Sequence, residues 1–202
     1  MFNFKTFVKQ ALLAATLAFG IGSATAGPTY HVDIDTTNYA GAGSIDFWMS
    51  SLTGASGALA TVSNFTGSLG AETFRFGGVG GALPASTGFD NSQSFSSVTH
   101  DVILGNKFAF DVSFSGDFLT VPGFGSTFSV AMYDALGNYL VQPDFLVEFS
   151  LTPVTFDNTA SVAYSNARNV RVSVPEPSDM LLVMTGLGLV GFMRRRSGKA
   201  AR

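Results

Sequence analysis

From Lys107 to Ser115 every second residue is apolar. Phe108, Phe110, Val112 and Phe114 point one way, and Lys107, Ala109, Asp111, Ser113 and Ser115 point the other. Period two over nine residues marks a strand with one buried face. Phe145, Val147, Phe149 and Leu151 repeat the pattern, as do Phe128, Val130 and Met132, and Val170, Val172 and Val174 alternate with Arg171 and Ser173 in a last strand. Further strands are predicted over 30–34, 44–49, 58–65, 72–76, 98–104 and 160–164. Turn residues separate them at Gly41-Ala42-Gly43, Gly116-Asp117 and Leu136-Gly137-Asn138, and the run Gly77-Gly78-Val79-Gly80-Gly81 reads as a mobile turn. About ten short strands without an amphipathic helix predict an all-β antiparallel β-sandwich, jelly-roll-like, over residues 27–174. The pattern does not specify the strand order.

The two ends depart from period two. Lys5 and Lys9 precede an apolar run from Ala11 to Gly22, and Ala24-Thr25-Ala26 follows. A short apolar run behind a basic start and a small-x-small site predicts a signal peptide over 1–26, cut by signal peptidase at Ala24 and Ala26. The run is too short to cross a bilayer as a helix and lacks the polar face of an amphipathic first helix. At the other end, Pro175-Glu176-Pro177 is stiff and extended, since each Pro fixes φ and disfavours helix before it. Ser178 and Asp179 suit a helix start. Met180 to Met193 carries no charge, and Arg194-Arg195-Arg196 closes it. A helix from Asp179 to Arg196 is roughly 27 Å long, near the ~30 Å of a hydrocarbon core, and its arginines can snorkel over the difference. A transmembrane helix is therefore expected over 180–193, with the basic tail inside and residues 27–174 outside.

Composition sharpens this division. Charged residues make up only 12% of the 202, with 20 Phe and 23 Gly, which suits aromatic strands joined by Gly-rich turns. With no Cys, neither disulfides nor thiolate chemistry can contribute, so the exported body must hold together by its core alone. Between Gly27 and Val174 there are 12 acids against 4 bases (Arg75, Lys107, Arg168 and Arg171), a balance unsuited to nucleic acid.

The three-part tail resembles the PEP-CTERM sorting signal of Gram-negative bacteria, in motif (Pro175, Glu176, Pro177), apolar helix (180–193) and basic cluster (Arg194, Arg195, Arg196), over about 28 residues, 175–202. That resemblance implies processing by an exosortase near the motif. It further implies transient inner-membrane anchoring, then release to the cell surface or extracellular matrix, in association with exopolysaccharide or biofilm. The body is similar to one uncharacterised PEP-CTERM family through Tyr30-His31-Val32-Asp33-Ile34-Asp35-Thr36, Ala60-Thr61-Val62-Ser63-Asn64-Phe65 and Phe110-Asp111-Val112-Ser113-Phe114-Ser115-Gly116. This second resemblance implies fold context only.

Few residues in the body suggest chemistry. Gly186-Leu187-Gly188-Leu189-Val190-Gly191 spells a dinucleotide fingerprint but lies inside the apolar run, without the βαβ unit it requires. His31 and His100 are the only histidines, and His100 and Asp101, adjacent on a strand, face opposite ways, which argues against a hydrolytic triad. His31, Asp33 and Asp35 share one face of the first strand. The two carboxylates could offer oxygens to Ca²⁺, though residues two apart sit ~7 Å from each other and a solvated face is the plainer expectation. Trp48 falls on one face with Ser44 and Asp46, opposite Ile45, Phe47 and Met49. An exposed indole beside an acid can stack on a sugar ring, which makes Trp48 and Asp46 a candidate ligand face. The preferred expectation is a strand buried on both sides, with Trp48 against a loop. No cofactor is expected. The expected function is a non-enzymatic surface or matrix protein, with extracellular polysaccharide as the candidate partner and a carbohydrate-binding module as the alternative.

Overall fold

The computed structural model describes residues 27–141 and 145–174, and within these the alternating segments become twelve strands. They are β1 (Thr29–Asp35), β2 (Gly41–Ser51), β3 (Leu59–Thr66), β4 (Leu69–Phe76), β5 (Val79–Ala82), β6 (Ser86–Asp90), β7 (Phe95–Leu104), β8 (Lys107–Ser115), β9 (Ser126–Asp134), β10 (Val147–Thr152), β11 (Ser161–Asn166) and β12 (Val170–Ser173). One turn of 3₁₀ helix, Asp117–Leu119, is the only helical element among the described residues. Two six-stranded antiparallel sheets result, in the orders β12-β1-β8-β3-β6-β5 and β11-β10-β9-β2-β7-β4. The described residues are all-β, as their period-two pattern predicts.

The inward faces of both sheets supply one aromatic core. Phe108, Phe110, Val112 and Phe114 of β8 are buried, in the phase read from their alternation, and so are Ile45, Phe47 and Met49 of β2. Rings meet across the sheets. Phe47 of β2 packs edge-on to Phe110 of β8 with centroids 5.4 Å apart, Phe89 of β6 meets Phe128 of β9 at 5.4 Å, and Phe114 of β8 meets Phe149 of β10 at 5.2 Å. Edge-to-face and tilted pairs at these distances add to the burial itself. Eight phenylalanines among the described residues are fully buried, which gives a chain without cysteine an aromatic core to hold it.

One buried polar residue fixes a corner. Thr36, fully buried at the end of β1, donates from Oγ1 to Asn106 O (2.6 Å) and accepts from Gly105 N and Asn106 N (3.2 Å each). The exit from β1 is thereby bound to the two-residue turn between β7 and β8.

Three expectations need correction. Gly77–Gly81 is not simply a turn: Val79–Ala82 pairs with β6, with Gly81 opposite Thr87. At Gly81 (φ +80°) a Cβ would lie 2.3 Å from Ser86 O, so glycine serves close strand approach as well as a positive φ. Gly41–Gly43 likewise opens β2 instead of preceding it, and a Cβ on Gly43 would stand 2.4 Å from Tyr133 O. Phe145 leaves the phase of Val147, Phe149 and Leu151. It precedes β10 and packs on Trp48, which lies on the outer side of β2. The backbone ahead of β10 is not extended ladder, and alternation carries no information there.

No helix among the described residues is long and apolar enough to cross a membrane. The signal segment 1–26 with Ala24 and Ala26, the motif Pro175-Glu176-Pro177, the apolar stretch 180–193 and Arg194–Arg196 lie outside the described residues.

Candidate functional site

The outer side of the second sheet carries the residues singled out as a ligand face. Cross-strand register places Trp48 between Ser97 of β7 and Ser129 of β9, and Phe76 of β4 opposite Ser97. Asp46 lies between Thr99 and Ala131, with Phe74 opposite Thr99. The bulges of β4 send Phe74 and Phe76 outward, where they are 50% and 51% exposed. Trp48 is half-buried, with the Phe145 ring packed against it in a T-shaped arrangement at 5.3 Å, so the expected loop contact exists. Asp46 accepts hydrogen bonds on Oδ1 from Ser97 Oγ (2.8 Å) and Thr99 Oγ1 (3.1 Å). Burial pushes its carboxyl above the usual carboxylate range, and these two bonds oppose the shift without cancelling it.

The outer side of the first sheet gathers titratable groups. β1 runs antiparallel to β8, with His31 opposite Asp111 and Asp33 opposite Ala109. His31 Nδ1 stands 2.6 Å from Asp111 Oδ1, its Nε2 lies 3.5 Å from Asp33 Oδ1, and Asn64 Nδ2 donates to Asp111 Oδ2 at 2.6 Å. Asn64 reaches this position from a left-handed backbone (φ 53°) at the irregularity between Ser63 and Thr66 of β3. The hydrogen bond to Asp111 raises the His31 pKa above its ordinary value, against the effect of burial and with help from the Asp33 charge. For Asp111, burial pushes upward, but the bonds from Asn64 and His31 and the His31 charge outweigh it, and the carboxyl is held low.

Asp33 and Asp35 do not converge. Asp33 turns to His31, while Asp35 Oδ1 accepts from Thr37 N (3.0 Å) and Thr37 Oγ1 (2.6 Å) and its Oδ2 lies 4.0 Å from Lys107 Nζ. Among the described residues no group of three or more His, Cys, Asp or Glu side chains is placed to hold a metal ion. His100 points into the sandwich, almost wholly buried, and Asp101 points out, as adjacent strand residues must. His100 Nδ1 is 3.4 Å from Gly70 O, and Nε2, without a hydrogen-bond partner among the described residues, is 3.9 Å from Glu72 Oε2. Glu72 itself pairs with Arg75 at 2.6 Å, and Arg75 donates onward to Val79 O and Gly81 O, joining β4 of one sheet to β5 of the other.

Sequence reasoning missed Asp111 as the partner of His31, and Asn64 as the partner of Asp111. Their signal is cross-strand register between segments 47 and 80 residues apart, which no local pattern contains. Comparison of the chain with protein-family models, with curated proteins and with solved structures returned no match.

Proposed function

We propose that this chain is an exported, non-enzymatic surface or extracellular-matrix protein of a Gram-negative bacterium, handled first by signal peptidase and then by an exosortase. The observation that carries the reading is the order Pro175-Glu176-Pro177, uncharged run 180–193, Arg194–Arg196. In this reading the run stops transfer, the arginines fix orientation, and the motif presents extended chain to a membrane protease. Prolines keep the membrane helix from growing outward through that site, since Pro in a helix interior is unfavourable by ~3 kcal/mol. The fold supports a body tethered in this way. His31 stands opposite Ser173 on paired antiparallel strands, so Gly27 and Val174, the body's first and last residues, leave it at one pole. The pairings β1 with β8, β2 with β7 and β3 with β6 support the finer description as a jelly roll, in which a long hairpin wraps so that successive strands alternate between sheets. The test is fractionation of tail-tagged and body-tagged protein in an exosortase-bearing host. Deletion of 175–177, or Glu176→Ala, leaves an uncleaved membrane-bound form. Unchanged processing after loss of the motif refutes the sorting assignment.

A second reading, a carbohydrate-binding module, draws support from the row Phe76–Ser97–Trp48 on the outer side of the second sheet. Saturable binding on a glycan array that Trp48→Ala abolishes establishes it, and indifference to that substitution removes it.

A further inference from the structure

Only four basic side chains exist between Gly27 and Val174, and three of them meet in one place. Lys107, Arg168 and Arg171 line a concave region of about 830 Å³ at the end of the first sheet, together with Asp33, Asp35 and the amides of Asn38, Asn166 and Asn169. This is the pole away from Gly27 and Val174: β1 ends here at Asp35, β8 begins at Lys107 and β12 begins at Val170.

The cations are not spent on internal pairing. Arg171 lies directly across from Asp33 on β1, yet Asp33 turns to His31, and Arg171 makes no ion pair among the described residues. Arg168 makes none there either, and both guanidinium side chains are exposed. Lys107 reaches Asp35 only at 4.0 Å. The frame behind them is fixed: Asn166 Nδ2 donates to Val170 O (2.7 Å), Asn169 Nδ2 to Asp35 O (3.2 Å), and Asp35 N to Asn169 O (2.9 Å). These bonds hold the β11–β12 connection against the end of β1 and leave the amide oxygens of Asn166 and Asn169 as acceptors.

We propose that this pole binds a carboxylate-bearing sugar of an acidic polysaccharide, with Arg168 and Arg171 taking the carboxylate and the surrounding amides and carboxylates taking ring hydroxyls. Two planar guanidinium groups suit a carboxylate, which each can engage with two parallel bonds. Asp33 and Asp35 disfavour a dense polyanion: three bases against two acids balance about one negative charge, and one charge per ring is what a uronic acid chain brings. Of the apolar residues in the lining, Ile34 and Val170 are buried and Val172 is half-buried, so the accessible surface is mostly polar and offers both donors and acceptors to hydroxyls. The volume lies within the ~300–1,000 Å³ usual for small-ligand sites. The site is separate from the Trp48 face, which is on the other sheet, and does not depend on the sorting reading.

The experiment is calorimetric titration of the full chain, in neutral detergent, with four probes: trigalacturonate, its neutral counterpart maltotriose, a glutamate oligomer of equal charge, and inorganic sulfate. Trigalacturonate is expected to saturate at or below ~1 mM. The double variant Arg168→Gln/Arg171→Gln weakens it about tenfold or more, and Arg171→Lys, which keeps the charge, also loses affinity because the planar fork is gone. Arg75→Gln removes the same charge at the far edge and leaves binding as it was. Because Arg168 and Arg171 are exposed and unpaired among the described residues, their variants keep the wild-type melting temperature, and loss of binding is not loss of fold. The proposal is overturned by an absence of saturable binding to trigalacturonate, or by equal affinity in the double variant. It is also overturned if maltotriose, the glutamate oligomer or sulfate binds as tightly as trigalacturonate.

Discussion

Truncating Phe110 to alanine tests the strand phase on which the whole architecture rests. Its ring is fully buried on β8, edge-on to Phe47 at 5.4 Å and stacked with Phe65 at 6.4 Å, so removal empties a site bounded by both sheets. A Phe→Ala change in such a position costs about 3–5 kcal/mol, transfer and residual cavity together. For a body of 148 residues each kcal/mol moves the melting temperature by about 2–4 °C, which predicts a fall of roughly 6–20 °C. Phe149→Ala, also fully buried and in contact with Phe114, should fall in the same range. The control is the next residue along. Asp111→Ala removes hydrogen bonds to His31 and Asn64 from the opposite, partly exposed side and should cost about 1 kcal/mol. Thermal unfolding of the three variants by circular dichroism separates the cases. A Phe110→Ala protein that melts within ~2 °C of wild type, or an Asp111→Ala protein that loses more than Phe110→Ala, refutes the assignment of faces.

Thr36→Val keeps the shape but removes the hydroxyl that accepts from Gly105 N and Asn106 N, while Asn106 O keeps its bond from Thr36 N, and should cost about 1–3 kcal/mol in denaturant titration. Asp46→Asn should raise the melting temperature at neutral pH. The native carboxyl titrates above its ordinary value of 3.8, so wild-type stability falls as pH rises from there through the raised pKa, and the advantage of the variant vanishes on the acid side of 3.8. His31 has the same sign in a higher pH window. With the His31 pKa raised above 6.5, its contribution is fully present below 6.5 and is lost as pH rises through the raised value. His31→Asn should flatten that limb of the stability profile by no more than ~1 kcal/mol, given the exposure of the ring.

What could be read from one sequence was whatever is local. Lys107–Ser115 announced both its extent and its faces because a half-buried strand repeats every two residues, and β2 and β9 showed their inward faces in the same way, though not their full extent. The Gly77–Gly81 run misled because an edge strand of glycines has no side chains with which to alternate, although its backbone pairs with β6 all the same. Phe145 misled because alternation was extended past the point where the chain leaves the ladder. The functional surfaces were the least legible part. Asp111 comes to His31, and Lys107 comes to Arg168 and Arg171, through the adjacency of β1 to β8 and β12. That adjacency is a property of sheet order, which depends on contacts between segments far apart in the chain.

The central claim concerns the two ends, and the masses of those ends test it most directly. An epitope placed in the exposed turn at Leu136-Gly137-Asn138 allows the body to be recovered from the envelope and medium of an exosortase-bearing host without touching either terminus. Intact-mass analysis should then find a chain that begins at Gly27 and ends near Pro175, without Arg194–Arg196. Recovery of exported protein that still carries Met1 and Arg202 would contradict the account.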